Sequence, residues 1–153
     1  MKRLFLLLLT SVLLLSLLPS QITAASQEKE FLEIIKYEDG SYLEISIETI
    51  QLKASGSVTK TKSYIYHNTD GTSAWKISLT GSFTYNGISA TCTASSCNVT
   101  IYNSNWYLIS KSASKSGSTA YGTATLGRRF LGITIEQVTH NLTLTCDKDG
   151  NVS

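Results

Sequence analysis

From Trp75 to Tyr85 the odd positions carry Trp75, Ile77, Leu79, Gly81, Phe83 and Tyr85, while Lys76, Ser78, Thr80, Ser82 and Thr84 fill the even ones. Successive side chains of a strand point to opposite faces, so unbroken alternation of this length predicts a β-strand with one buried face. Trp75, Ile77, Leu79 and Phe83 are therefore expected in the core. Asn86-Gly87 follows, and the apolar phase then moves to Ile88, Ala90 and Cys92. Asn-Gly between two such runs is a strong hairpin signal, because both residues tolerate positive φ. A two-residue turn would place Tyr85 opposite Ile88, Phe83 opposite Ala90 and Gly81 opposite Cys92. An amphipathic hairpin of this kind is unstable alone and requires a second layer.

The rest of the chain supplies matching strands. A hairpin is predicted across Asp39-Gly40, with Leu43, Ile45 and Ile47 on one face of its second strand. Residues 51–57 read as a linker, and a strand over 59–67 turns at Asn68-Thr69-Asp70-Gly71 into the Trp75 strand. A loop is expected at 93–96, followed by strands around Val99, Trp106, Tyr121, Ile133 and Leu142. The apolar phase shifts between Ile135 and Val138, which predicts a bulge or bend. Ala120, Gly122 and Ala124 leave one strand face nearly bare, so a large ring such as Trp75 or Trp106 is expected to lie across it. Eight or nine short strands punctuated by turns predict an all-β fold, an antiparallel sandwich, with a partly closed barrel as the alternative.

Residues 1–25 combine a basic start (Lys2, Arg3), an apolar run and small residues at Thr23 and Ala25. That is the pattern of a secretory signal peptide cleaved near Ala25. Residues 26–153 then form a single secreted β-sandwich domain, extracellular, with no integral membrane segment after cleavage. Without Lys2 and Arg3 the domain carries 11 basic and 11 acidic residues. A balanced charge argues against a nucleic-acid partner. The charges are unevenly spread: seven acids and two lysines fall within 26–49, whereas eight basic residues and one acid fall within 50–135. Either the charges solvate different strands, or they make a basic face for an anionic cell-wall polymer or glycan.

Cys92, Cys97 and Cys146 meet an oxidising environment after export. Cys92 and Cys146 are in phase with buried faces, so a Cys92–Cys146 disulfide is the favoured pairing. Cys97 is then an odd thiol able to join two chains. Only His67 and His140 could serve as a catalytic base, with His67 expected at an exposed turn and His140 in the interior or at its rim. A carboxylate pair for glycoside hydrolysis would have to come from Glu38, Asp39, Glu44, Glu48, Asp70 and Glu136, none in a diagnostic context. No cofactor or metal is expected. A ligand-binding face is suggested by Trp106, Tyr107 and Tyr121 near Lys111, Lys115, Arg128 and Arg129, since rings stack on sugars and cations attract anionic groups. The competing explanation places about half of these rings in the core.

Five stretches carry a family resemblance: Gly40-Ser41-Tyr42-Leu43-Glu44, Ser63-Tyr64-Ile65-Tyr66, Trp75 to Gly87, Arg129-Phe130-Leu131-Gly132-Ile133, and Leu142-Thr143-Leu144-Thr145-Cys146. With them the chain resembles a group of uncharacterised small secreted β-rich proteins of Gram-positive bacteria. The resemblance implies export and a compact β domain, and supplies no site residues. The expected function is a non-enzymatic protein that binds cell-envelope polymer or glycan. The alternatives are an extracellular enzyme or enzyme inhibitor with dispersed site residues, and a pore-forming toxin-like protein using the Trp75–Tyr85 strand.

Overall fold

The computed structural model describes residues 27–50 and 56–153. The expected signal peptide, its expected cleavage position and most of the expected 51–57 linker lie outside the described residues. The described chain is all strand and turn, in two antiparallel sheets. The larger sheet has five strands in chain order: β1 (Gln27–Lys36), β2 (Tyr42–Ile50), β3 (Ser57–His67), β4 (Ser73–Tyr85) and β5 (Ala90–Ile101). The smaller has β6 (Trp106–Ser116), β7 (Thr119–Phe130) and β8 (Ile133–Thr145). Consecutive strands within each sheet are antiparallel neighbours, and the chain crosses between the sheets from β5 to β6. The smaller sheet lies mainly over β3, β4 and β5. The result is a sandwich and not a closed barrel.

The alternation of β4 explains the core. Trp75, Ile77, Leu79 and Phe83 are each at most 1% exposed, and they meet Ala120, Ala124, Leu126, Leu142 and Leu144 of the smaller sheet. The bare face of β7 sets a close approach between layers. A Cβ added to Gly122 would lie 3.1 Å from Leu79 Cδ1, and one added to Gly81 would lie 3.1 Å from the Ala120 Cβ. The abundant Ser and Thr form cross-strand hydroxyl pairs, Thr59–Ser82 at 3.0 Å and Thr61–Thr80 at 2.8 Å between β3 and β4, and Thr125–Thr139 at 3.0 Å between β7 and β8. Directly opposed pairs of this type stabilise a sheet by a few tenths to about 1 kcal/mol each.

Three expectations are corrected. The β4–β5 turn has four residues: Tyr85 pairs with Ala90 and Phe83 with Cys92, which leaves Ile88 85% exposed. Asn86 dictates this, since its Oδ1 accepts from the Ile88 and Ser89 N–H groups while Gly87 N–H donates to the Lys148 carbonyl. Residues 93–96 continue β5 as strand, because a bulge at Thr93 absorbs the change of phase and lets Cys92 and Cys97 both face inward. The expected Cys92–Cys146 disulfide is not formed; all three cysteines are free and buried. Each thiol of the pair turns to a local carbonyl, Cys92 Sγ to Ala94 O and Cys146 Sγ to Asp147 O, both at 3.3 Å. The phase shift near Ile135 is a bulge: Arg128 pairs with Glu136 and Arg129 with Thr134, so Ile135 is the extra residue.

Candidate functional site

At one end of the sandwich the β1–β2 turn, the end of β3 and the starts of β4, β6 and β8 converge. The β1–β2 turn is fixed by Asp39, whose Oδ1 accepts from the Ser41 hydroxyl at 2.6 Å and from its N–H at 2.9 Å. Gly40 takes the positive φ of 87° that closes it. These hydrogen bonds favour the charged form and hold the Asp39 carboxyl below its ordinary pKa. Across the gap, the 102–105 loop is tied to β4, the Ala74 carbonyl accepting from the Tyr102 and Asn103 N–H groups. A turn at Asn103, where Trp106 N–H donates to Asn103 O at 3.0 Å, then delivers Trp106 inward.

What these elements enclose is an open cleft of about 400 Å³, walled by Tyr37, Tyr66, Trp75 and Trp106 and bordered by Glu38, Asp39, Glu136 and His140. The aromatic walls are packed against one another. Tyr66 stacks on Trp75 with centroids 5.4 Å apart, and Trp106 meets both edge-on at 5.7 and 6.0 Å. His140 leans on Trp75 at 5.1 Å. Rings locked this way form a pre-organised surface, which lowers the entropic cost of binding. Trp75 is 1% exposed, yet its Nε1–H has no hydrogen-bond partner among the described residues. Such an orphan donor costs roughly 1–3 kcal/mol; it is itself covered, so a ligand acceptor would relieve it only with a small shift of the packed rings.

Burial holds the His140 imidazole below its ordinary pKa of 6.5, so it stands neutral beside Trp75. The unfolded chain takes up a proton near pH 6.5 where the folded chain does not, so this contribution to stability is present above that pH. It should be lost as pH falls from there towards the lowered folded pKa. Urea unfolding at pH 7.5 and pH 5.5 checks this: His140→Gln should flatten the pH dependence, and an unchanged slope would assign it to other groups.

The residues singled out from the sequence fall on two faces. Trp106 is buried opposite Arg128, and Lys111 and Lys115 lie opposite Ala124 and Ala120, all on the inward-facing register. Tyr107, Tyr121 and Arg129 are on the other face. The lysines reach back to β5, Lys111 Nζ to Asn98 Oδ1 at 3.4 Å and Lys115 Nζ to the Cys92 carbonyl at 3.3 Å. Arg128 pairs with Glu136 at 3.6 Å beside the cleft, while Arg129 lies over the Tyr107 ring at 4.0 Å. Trp106 thus lines the cleft and Arg128 sits behind it, reaching Glu136 and the Trp106 ring, whereas Tyr107, Tyr121, Arg129, Lys111 and Lys115 do not line it. His67, expected to be exposed, is largely covered: it stacks on Tyr42 at 4.4 Å and sits 3.7 Å from Glu44. The carboxylates Glu38, Asp39 and Glu136, individually undistinguished in the sequence, are brought together at one rim. No protein-family model, curated protein or solved structure matches this chain.

Proposed function

We propose that this is a secreted, non-enzymatic protein that binds an uncharged glycan of the cell envelope in the aromatic cleft. The observation that carries the reading is the pairing of the orphan Trp75 N–H with a rim of carboxylates. An anionic ligand could accept from the indole but would face Glu38, Asp39 and Glu136. An organic cation would satisfy the carboxylates but leave the Trp75 donor unpaired. Sugar hydroxyls do both, accepting from the indole and donating to the carboxylates, while the C–H face of the ring packs on the aromatic walls. At this rim the charge is acidic: three acids meet one arginine, itself paired.

Tryptophan fluorescence titration with chitotriose, maltotriose and a heparin oligosaccharide tests the reading. Saturable binding of a neutral sugar is expected, with little dependence on salt. Trp106→Ala, which removes one wall, should weaken it by about tenfold or more, the loss expected for a buried aromatic contact. Binding confined to heparin would return the assignment to a basic face, and binding of a quaternary ammonium probe alone would favour the cation.

A further inference from the structure

Beyond the Arg128–Glu136 pair, β7 and β8 continue as a short arm in which Arg129 pairs with Thr134 and Phe130 with Ile133. Leu131 and Gly132 close it with φ of 50° and 80°. A two-residue turn with positive φ at both positions is normally built from Asn, Asp or Gly, because a branched side chain is strained there. Leu131 is the only non-glycine residue with positive φ among those described, and it is also 86% exposed. Phe130, Ile133 and Ile135 beside it are 64%, 69% and 56% exposed. Backbone preference and hydrophobic burial are both violated at one point, the kind of local conflict that marks a functional surface.

We propose that this tip is a membrane-docking element that enters the boundary of a phospholipid bilayer. The apolar side chains sit on a narrow projecting turn, a shape suited to insertion between lipid headgroups. Charge supports the same occupant. Arg128 and Arg129 lie immediately behind Phe130, where lipid phosphates would be met once the tip is immersed. Arg128 is engaged by Glu136, whereas Arg129, steadied over Tyr107 at 4.0 Å, makes no ion pair among the described residues. Because Glu136 and Trp106 border both the arm and the cleft, docking would hold the cleft close to the membrane surface. The inference does not depend on what the cleft binds.

Flotation of the mature protein with vesicles of phosphatidylcholine and phosphatidylglycerol tests this. The wild type should float with the vesicles. Leu131→Asn should reduce binding by about tenfold or more, the transfer contribution of one large apolar side chain, while its melting temperature holds or rises, since Asn accepts the positive φ. Arg129→Gln should weaken binding and reduce its sensitivity to salt. The proposal is overturned if wild type fails to float, or if Leu131→Asn floats undiminished. It is equally overturned if, without lipid, wild type is a dimer that Leu131→Asn dissociates, for then a second copy covers the tip.

Discussion

Replacing Trp75 with alanine should lower the unfolding free energy by about 3–5 kcal/mol, the range for deleting a fully buried tryptophan. Trp75 is 1% exposed and contacts rings from three other strands, Tyr66 on β3, Trp106 on β6 and His140 on β8. Nothing nearby is free to collapse into the space, because Tyr66 and Trp106 are themselves held by their own strands and turns. The neighbouring cleft would let water reach the void, and this should place the effect towards the lower end of the range. Urea denaturation monitored by circular dichroism measures it. Trp75→Phe is the informative companion: it keeps most of the apolar contact and deletes the unsatisfied N–H, so it should cost much less. If the two variants were equally destabilised, the indole N–H would have to hold a partner that the structure does not contain.

The second large effect is expected from Gly81→Val. An added Cβ at Gly81 would lie 2.7 Å from the Phe83 ring and 3.1 Å from the Ala120 Cβ, so both the neighbour along β4 and the opposing sheet would have to move. Phe83 is 1% exposed and Ala120 is fully buried, and neither has room to yield. Overpacking of this kind costs about 1–3 kcal/mol or more. The enlarged residue would also push the sheets apart along the β7 face where Ala120, Gly122 and Ala124 allow them to touch. The variant should unfold at markedly lower urea than Thr80→Val, which alters a neighbouring residue on the opposite register of the same strand. Equal midpoints for the two would mean that the sheets are not in close contact there.

The contrast between these positions reflects what was legible in the sequence. The odd phase of β4 could be read directly, because a half-buried strand writes its inward face with period two, and Trp75, Ile77, Leu79 and Phe83 are in the core. Turn identity was a poorer guide. Asn86-Gly87 signals a reversal, yet its length was decided by the Asn86 side chain capping the N–H groups of Ile88 and Ser89 and by a backbone bond to Lys148, far along the chain. Bulges likewise escape period counting: one at Thr93 brings Cys92 and Cys97 to the same interior despite their opposite parity.

The cleft was hardly legible at all. Its aromatic and acidic residues come from five elements, and only sheet packing brings Glu38 and Asp39 near Glu136 and His140. Proximity in sequence misled at Trp106 and Tyr107, which strand alternation sends to opposite faces. A signal was nevertheless present at the arm: Phe130-Leu131-Gly132-Ile133 is an apolar run interrupted by the glycine of a turn, which is unusual for a solvent-facing hairpin.

The central claim, that a neutral sugar occupies the cleft and engages the buried indole, is most directly tested by the Trp75 side-chain N–H resonance. In a nitrogen-15 correlation spectrum of residues 26–153 titrated with chitotriose and maltotriose, at least one sugar should shift that resonance downfield, the mark of a new hydrogen bond. Backbone signals of Asp39, Ser41 and Val138 should move with it, while those of Gly87 and Gly150 at the opposite end stay fixed. An unmoved Trp75 indole, with shifts gathered instead around Lys111 and Lys115 or with none at all, would contradict the account.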